Sequence, residues 1–385
     1  MKTSRDRILT THVGSLPRPA DLADGLFAQE RGELADRAAF EAAVARAVDT
    51  AVGRQVKAGI DIVSDGEMSK ISYATYIKDR ITGFDGDSPR RVPKDLEEFP
   101  SLMNRQSGSG KTPTYRRPKC VGPIAVKDMG PLEADIARFQ AALDAHSPAE
   151  GFMNSASPGV IALFQPNEYY PDHDAYLEAL AEAMRPEYER IVDAGFILQL
   201  DSPDLGLGKH MMFKDKDEAH YVTACHGHVD ALNHALRNVP RERVRMHVCW
   251  GNYEGPHHCD ASLNTVLGIA LRAKVGALLF EAANPRHAHE WTEFQGRDLP
   301  DGLILIPGVI DSTTNFIEHP ELVAQRIERY AHLVGRERVI AGTDCGFGTF
   351  AGYGAVDGEV AYAKLAALAE GARIASARLW GRAAA

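Results

Sequence analysis

The sequence predicts an α/β protein folded as a (β/α)8 TIM barrel, and three observations carry that expectation. Short apolar runs alternate with longer segments of helical periodicity along most of the chain. Eight such strand–helix units fit in 385 residues, and alternation of this kind gives a parallel sheet that closes at eight strands. No Gly-x-Gly-x-x-Gly follows the first strand, which disfavours an open dinucleotide-binding sheet.

Ile8–Val13 reads as the first strand, broken by Gly14-Ser15-Leu16-Pro17. An alanine-rich segment with valines at helical spacing, from about Asp36 to Lys57, reads as a helix. Ile60–Ser64 is the second strand and ends at Asp65-Gly66-Glu67. From about Ser69 to Pro118 the periodicity lapses. Ser107–Lys111 looks flexible there, and Lys119–Val121 suggests one arm of a hairpin. The expectation is a single barrel domain over 1–385 with an inserted excursion, about 69–130, after the second strand. Long segments of this kind inside a compact domain are usually functional.

Regular alternation then resumes. Helices are expected near 131–145, 174–194, 217–237, 262–274, 287–294, 320–333 and 358–377. Strands are expected at Val160–Phe164, Phe196–Asp201, Arg245–Trp250, Gly276–Glu281, Leu303–Ile310 and Arg338–Thr343.

Composition bounds the function. A net charge of −10 argues against a general nucleic-acid binder, because neutralising phosphates needs a basic face. No apolar run approaches the roughly 20 residues of a membrane span, and no leader is evident. Five cysteines are an odd and low number, which disfavours a disulfide framework and fits a reducing cytoplasm.

Chemistry in such a barrel sits at the C-terminal ends of the strands. Those ends carry Ser15, Glu67, Asp201, His247 with Cys249, Glu281, Asp311 and Cys345. His247 and Cys249 are two apart on a strand and share a face. Imidazole and thiolate are preferred zinc ligands. With Glu281 and Cys345 at later strand ends, the four read as one metal site. Asp201 could equally serve a turn, and Asp311 a helix cap. Cys120, Cys225 and Cys259 read as ordinary buried or surface thiols. His257-His258-Cys259 looks metal-like but lies in a polar loop, and His287 and His289 read as surface or cover residues.

Thr11-His12-Val13-Gly14-Ser15-Leu16-Pro17-Arg18, Asp65-Gly66-Glu67, Gln199-Leu200-Asp201-Ser202-Pro203, His247-Val248-Cys249, Glu281, Pro307-Gly308-Val309-Ile310-Asp311 and Asp344-Cys345-Gly346 occur in this order. Together they resemble the catalytic domain of cobalamin-independent methionine synthase, in a short single-barrel form, over nearly the whole chain. The resemblance implies Zn2+ held by His247, Cys249, Glu281 and Cys345. It implies Ser15 on the carboxylate of a homocysteine-like thiol, and Glu67 and Asp201 on its amino group. Two positions depart from the family pattern: Thr313 stands where a histidine proton donor is usual, and Leu163-Phe164-Gln165-Pro166-Asn167 lacks the usual tryptophan. His12, on a neighbouring strand, reads either as a substitute acid or as a strand-face histidine satisfied within the barrel.

The function expected is a zinc-dependent thiol alkyltransferase, most simply methyl transfer from a methylfolate to homocysteine through a zinc-bound thiolate. Its partners are a small-molecule thiol and an alkyl donor, with Asp201 and His12 as the candidate catalytic side chains. A related reading is an epoxyalkane:coenzyme M transferase, for which Arg18, Lys209, His210 and Arg286 are the basic candidates. A metal-free enzyme resembling uroporphyrinogen decarboxylase and a non-catalytic zinc protein are further alternatives.

Overall fold

Eight parallel strands surround one axis in the computed structural model, which describes residues 1–89, 91–108 and 116–381. They are β1 (Leu9–Thr10), β2 (Ile62–Val63), β3 (Glu150–Ala156), β4 (Ile197–Asp201), β5 (Val244–His247), β6 (Ala277–Phe280), β7 (Ile304–Ile310) and β8 (Ile340–Thr343). β2 to β8 pair in sequence order, and β8 pairs with β1. The β1–β2 seam is joined by other means. The Thr10 carbonyl accepts from the Asp61 N–H, and Thr11 Oγ1 donates to the Ile62 carbonyl. The expected barrel is therefore nearly closed.

Helices clothe the outside: α1 (Ala20–Glu30), α2 (Arg37–Lys57), α3 (Lys94–Glu97), α4 (Pro100–Gly108), α5 (Gly130–His146), α6 (Pro158–Phe164), α7 (His173–Asp193), α8 (Gly208–Met211), α9 (Glu218–Ala235), α10 (Leu263–Ala270), α11 (Pro320–Val334) and α12 (Gly358–Leu379). A 3₁₀ turn, Glu290–Phe294, stands where a short helix was expected.

The third strand needs correcting. Val160–Phe164, expected as a strand, is the body of α6. Ser157 Oγ accepts from the Val160 N–H and Pro158 occupies the first turn, a strong helix start. The run is apolar because α6 is buried on every side, and periodicity cannot separate that case from a buried strand. The true strand, β3, has glycine, asparagine and serine in it and shows no apolar run. α1 was not anticipated either.

Successive residues alternate between the barrel interior and the helix layer. Leu9, Ile62, Phe152, Ile197, Ala277, Leu279, Ile304, Ile306 and Ile340 form an apolar interior cluster. Above it lies a polar layer. Arg245, fully buried, places its guanidinium 3.5 Å over the Phe152 ring and donates to Gln199 Oε1, Thr11 Oγ1 and the His12 carbonyl.

The excursion between β2 and α5 carries α3, α4 and the expected hairpin, in which Phe84–Asp85 pairs antiparallel with Lys119–Cys120. Of the stretch read as flexible, Ser107 and Gly108 end α4 and 109–111 lie outside the described residues. Arg80 welds the excursion to the barrel. Its guanidinium meets Glu187 on α7 at 2.9 Å and Asp135 on α5 at 2.6 Å, all three buried. Tyr76 and Ser155 each donate to Glu187 Oε1, both at 2.6 Å. Arg80→Met leaves two carboxylates buried without their cation. It should cost about 3–5 kcal/mol in urea unfolding, far more than a surface substitution such as Arg31→Met.

Candidate functional site

β5 leads directly into Val248-Cys249, so Arg245, His247 and Cys249 share the inward face. Cys345 follows β8 across the barrel mouth. The structure brings one ring nitrogen of His247 and the two sulfurs within 4.8 Å of one another, all buried. The Cys249 and Cys345 sulfurs are 3.6 Å apart, unbonded. Two sulfurs bound to one tetrahedral zinc at about 2.3 Å each stand roughly 3.8 Å apart. The donor set and its spacing therefore fit zinc. The neighbouring Cys345 thiol, then burial, push the Cys249 thiol well above its ordinary range. Two thiols this close hold their protons unless a cation stands between them.

Glu281 lies outside that 4.8 Å group. Its Oε1 accepts from the Trp250 N–H at 2.9 Å and its Oε2 from Asn284 Nδ2 at 2.7 Å. Asp344 braces the same corner, accepting from the backbone of Ala282, Ala283 and Asn284 at 2.8 Å each.

Beside the thiols lies a cavity of about 250 Å3, to which Ser15, Glu67, Asp201, His247, Cys249 and Cys345 all contribute. Asp201 Oδ2 accepts from Asn154 and Oδ1 from Gln199, and Oδ1 stands 3.4 Å from His247 Nδ1. Glu67 has φ 58°, a left-handed conformation that the Arg18 guanidinium pins by donating twice to its carbonyl. Glu67 Oε2 is buried without a hydrogen-bond partner. Burial, with the repulsion of Asp201, raises the Glu67 carboxyl to about 7 despite Lys70 and Arg18. A Cβ at Gly346 would sit 2.0 Å from Ser15 Oγ, so any larger residue there would turn the Ser15 hydroxyl away from its present position.

Of the two readings of His12, the geometry matches the histidine satisfied within the barrel and not the acid expected among the catalytic side chains. Its Nδ1 accepts from the Gly14 N–H at 3.1 Å, so Nε2 carries the proton and donates to Gln55 Oε1 at 2.6 Å. The ring packs edge-on against Phe152 and does not line the cavity. Burial, together with Arg245, lowers its pKa to about 3. It is a neutral structural histidine rather than a proton donor. Asp311 caps a turn, accepting from Thr313 and Thr314, where a helix cap was one expectation. Of the basic candidates, Arg18 is spent on backbone carbonyls. Lys209, His210 and Arg286 do not line the cavity. The bases that do are Arg91 and Arg117, both from the excursion, along with Ser88, Leu96 and Met103. Reading residue by residue gave no sign of them, because the excursion's path over the strand ends is a tertiary fact.

A second, half-exposed group of candidate ligands, Glu98, His258 and Cys259, lies at the excursion's edge. His257 takes no part in it and turns to Asp260.

Fold and site define a (β/α)8 barrel with a His–Cys–Cys centre and a covered cavity at its active end. The signature described as the cobalamin-independent synthase catalytic domain matches residues 8–92. Methionine synthase of Saccharolobus solfataricus is 26% identical over 368 residues, covering 95% of this chain and 94% of its own. The Sulfurisphaera tokodaii methionine synthase is 26% identical over 340 residues, covering 88% and 85%. In fold, the chain is similar to a B12-independent methionine synthase from Shewanella sp. W3-18-1 (TM-score 0.74, 19% identity, 97% and 99% covered). It is also similar to a putative vitamin-B12-independent methionine synthase from Listeria monocytogenes (TM-score 0.65, 19% identity, 96% and 98% covered). The chain is thus similar to the cobalamin-independent synthase catalytic domain over residues 8–92 and to proteins named methionine synthase over nearly its whole length. No helix among the described residues is long and apolar enough to cross a membrane.

The loop after Cys249 is locked by charge. Asp260 Oδ2 lies 3.0 Å from both His257 Nδ1 and His287 Nε2, and its Oδ1 lies 3.1 Å from His210. Glu290 holds the other nitrogen of His287 at 2.6 Å, and Asp95 accepts from Tyr253 Oη and the His257 N–H. Burial opposes charge on these rings. The bonds to Asp260 and Glu290 and the field of Glu281 outweigh it, raising His257 to about 9 and His287 to about 10. Both folded values exceed the unfolded value of about 6.5. Their stabilisation is therefore complete below about pH 6.5 and is lost as pH rises through 9 and 10. The thermal midpoint should fall by a few degrees between pH 7 and 10, and Asp260→Asn should lower it at pH 7 and flatten that slope.

Proposed function

We propose that the protein is a zinc-dependent thiol alkyltransferase whose simplest reaction is methyl transfer to homocysteine, giving methionine. The observation that carries this reading is the buried His247–Cys249–Cys345 group opening onto a cavity that also holds two carboxylates, Glu67 and Asp201. Relatives named methionine synthase, alignable over 95% of the chain, point the same way. His247, Cys249 and Cys345 would hold the metal, with Glu281 beside them. Zinc, when bound, makes a neighbouring thiol acidic enough to be a nucleophile at neutral pH.

The chain's own residues place that thiol. Glu67 and Asp201 take the substrate ammonium, whose charge offsets their mutual repulsion and satisfies the orphaned Glu67 oxygen. Ser15 takes the carboxylate. Asn154 and Gln199 hold Asp201 so that it also orients the His247 ring. The substrate thiol gives up its proton to solvent, and a sulfur lone pair forms the new bond to the alkyl carbon. The bond from that carbon to the donor breaks, and its electron pair leaves with the donor. Apolar walls and the excursion keep water from competing.

The paired carboxylates separate this reading from a coenzyme M transferase, whose sulfonate-bearing thiol would meet two negative charges at the same place. A metal-free decarboxylase gives no reason to gather three soft ligands.

Protein purified without chelator should carry close to one zinc per chain. Cys249→Ser should weaken metal binding on the order of 100-fold or more and abolish methionine formation while the barrel stays folded by circular dichroism. Zinc-free wild type that still turns over would refute the reading. Glu67→Gln should raise KM about tenfold for homocysteine and far less for 4-mercaptobutyrate, which lacks the amino group.

A further inference from the structure

Glu98, His258 and Cys259 are a second place where metal-type ligands converge, and the chemistry at the barrel mouth makes no use of them. Their ligand atoms all lie within 4.8 Å of one another. Glu98 Oε2 stands 2.7 Å from His258 Nε2, and the Cys259 sulfur stands 3.9 Å from Glu98 Oε1. A tetrahedral zinc holds nitrogen, oxygen and sulfur ligands roughly 3–4 Å apart, so small side-chain rotations would seat one ion among the three. The imidazole and the carboxylate are exposed, so an ion reaches them directly from solvent. The mixed nitrogen, sulfur and oxygen set suits zinc or cobalt(II) rather than magnesium or calcium, which take oxygen ligands.

Adjacent residues seldom serve one centre, and a tight turn lets these two do so. His257 has φ 54°, in the left-handed region, and the Asp260 N–H bonds back to its carbonyl. His258 and Cys259 are the two middle residues of that turn. The turn is anchored from behind, because the His257 ring bonds Asp260 and its N–H donates to Asp95. The His258 ring packs edge-on against Phe99 with centroids 5.6 Å apart. Glu98 comes from the other side, directly after α3. The local field also favours a cation. Burial and the carboxylates of Glu98 and Asp95, with Asp260, raise the Cys259 thiol against the effect of Lys94. A divalent ion displaces a proton held in that way.

We infer that Glu98, His258 and Cys259 bind a second divalent transition-metal ion, zinc foremost, and that this ion staples the excursion to the loop behind Cys249. The inference goes beyond the alkyltransferase reading and does not depend on it. On binding, the Cys259 thiol gives its proton to solvent, and the thiolate and the Glu98 carboxylate together balance the ion's charge. Both ends of the staple adjoin the cavity wall. Glu98 is two residues from Leu96, and the turn continues the loop whose Gly251, Asn252 and Tyr253 line the cavity. Asp95 already spans the same gap, accepting from Tyr253 Oη and the His257 N–H. The ion adds a tie that the protein can gain and lose. With three protein ligands and two of them exposed, the site exchanges its ion with solution and is emptied by gel filtration, whereas the buried centre keeps its own. The firmness of the cover then follows the free metal concentration.

The test titrates the gel-filtered, zinc-containing protein with Co2+ and follows the near-ultraviolet charge-transfer absorption of a cobalt–thiolate bond. Cys120 and Cys225 are fully buried, so a new band reports Cys259. Wild type should saturate at about one equivalent of cobalt per chain. Cys259→Ser should remove the band, His258→Ala should remove saturable binding, and Glu98→Gln should weaken it about tenfold. His332→Ala, on the exposed face of α11, should change nothing. Equal thermal midpoints of the variants before metal is added exclude misfolding. Added Zn2+ at tenfold excess over its Kd should slow amide hydrogen exchange in residues 94–98 and 257–260 about tenfold in wild type, and leave it unchanged in Cys259→Ser. No cobalt–thiolate band, a band that survives Cys259→Ser, full affinity in Glu98→Gln, or binding that leaves exchange in both segments unchanged would overturn the inference.

Discussion

A guanidinium inside the barrel is the constraint from which the site follows. Arg245 is completely buried, and burial lowers its pKa to about 9, so it remains a cation at neutral pH. Its stabilisation comes from the Phe152 face and from three acceptors on β1 and β4 or just beyond them. Each acceptor transmits an orientation. Gln199 gives its oxygen to Arg245 and its amide hydrogens to Asp201 Oδ1 and the Val13 carbonyl. Asn154, paired with Gln199 across β3 and β4, holds the other Asp201 oxygen. Asp201 faces His247 across β4 and β5. A polar layer is thus locked one step below the metal-type ligands, and the strand alternation that points Arg245 inward points His247 and Cys249 inward too.

The same layer explains what could and could not be read from the sequence. The grouping of His247, Cys249 and Cys345 was legible because a polar residue ending an apolar run is conspicuous and barrel chemistry gathers at such ends; Glu281, read with them, stands outside that group. β3 was illegible for the opposite reason. Its inward residues, Phe152 and Asn154, straddle the apolar and polar layers, so no apolar run marks it, while α6 next door has one for unrelated reasons. His12 shows the limit for single residues. A histidine near a strand end looks like an acid, but burial, with Arg245 nearby, keeps it neutral against the opposing effect of its hydrogen bond to Gln55. Nothing in its neighbours along the chain reveals either partner.

The excursion was visible as a break in periodicity, but its purpose was not, because purpose depends on where it lands. Two of its attachments bear directly on the site. Arg80 joins it to α5 and α7, and Asp95 on α3 accepts from the loop that follows Cys249. That loop is itself drawn together around Asp260, and His287 stacks on Trp250, the residue after Cys249, with ring centroids 4.4 Å apart. The cover over the cavity and the strand carrying two of the three soft ligands are therefore mechanically continuous.

That continuity matters to a reaction between two substrates. A thiol and an electrophile must meet within one small cavity in a fixed order of atoms, and positioning alone is worth several kcal/mol of barrier. Charge can supply the order. On the proposed reading, Glu67 and Asp201, which line one cavity, would accept an ammonium more readily than either would alone and would repel an anion. On that reading the strand ends would fix the nucleophile, and the excursion, whose composition follows no barrel pattern, supplies part of the remaining cavity wall.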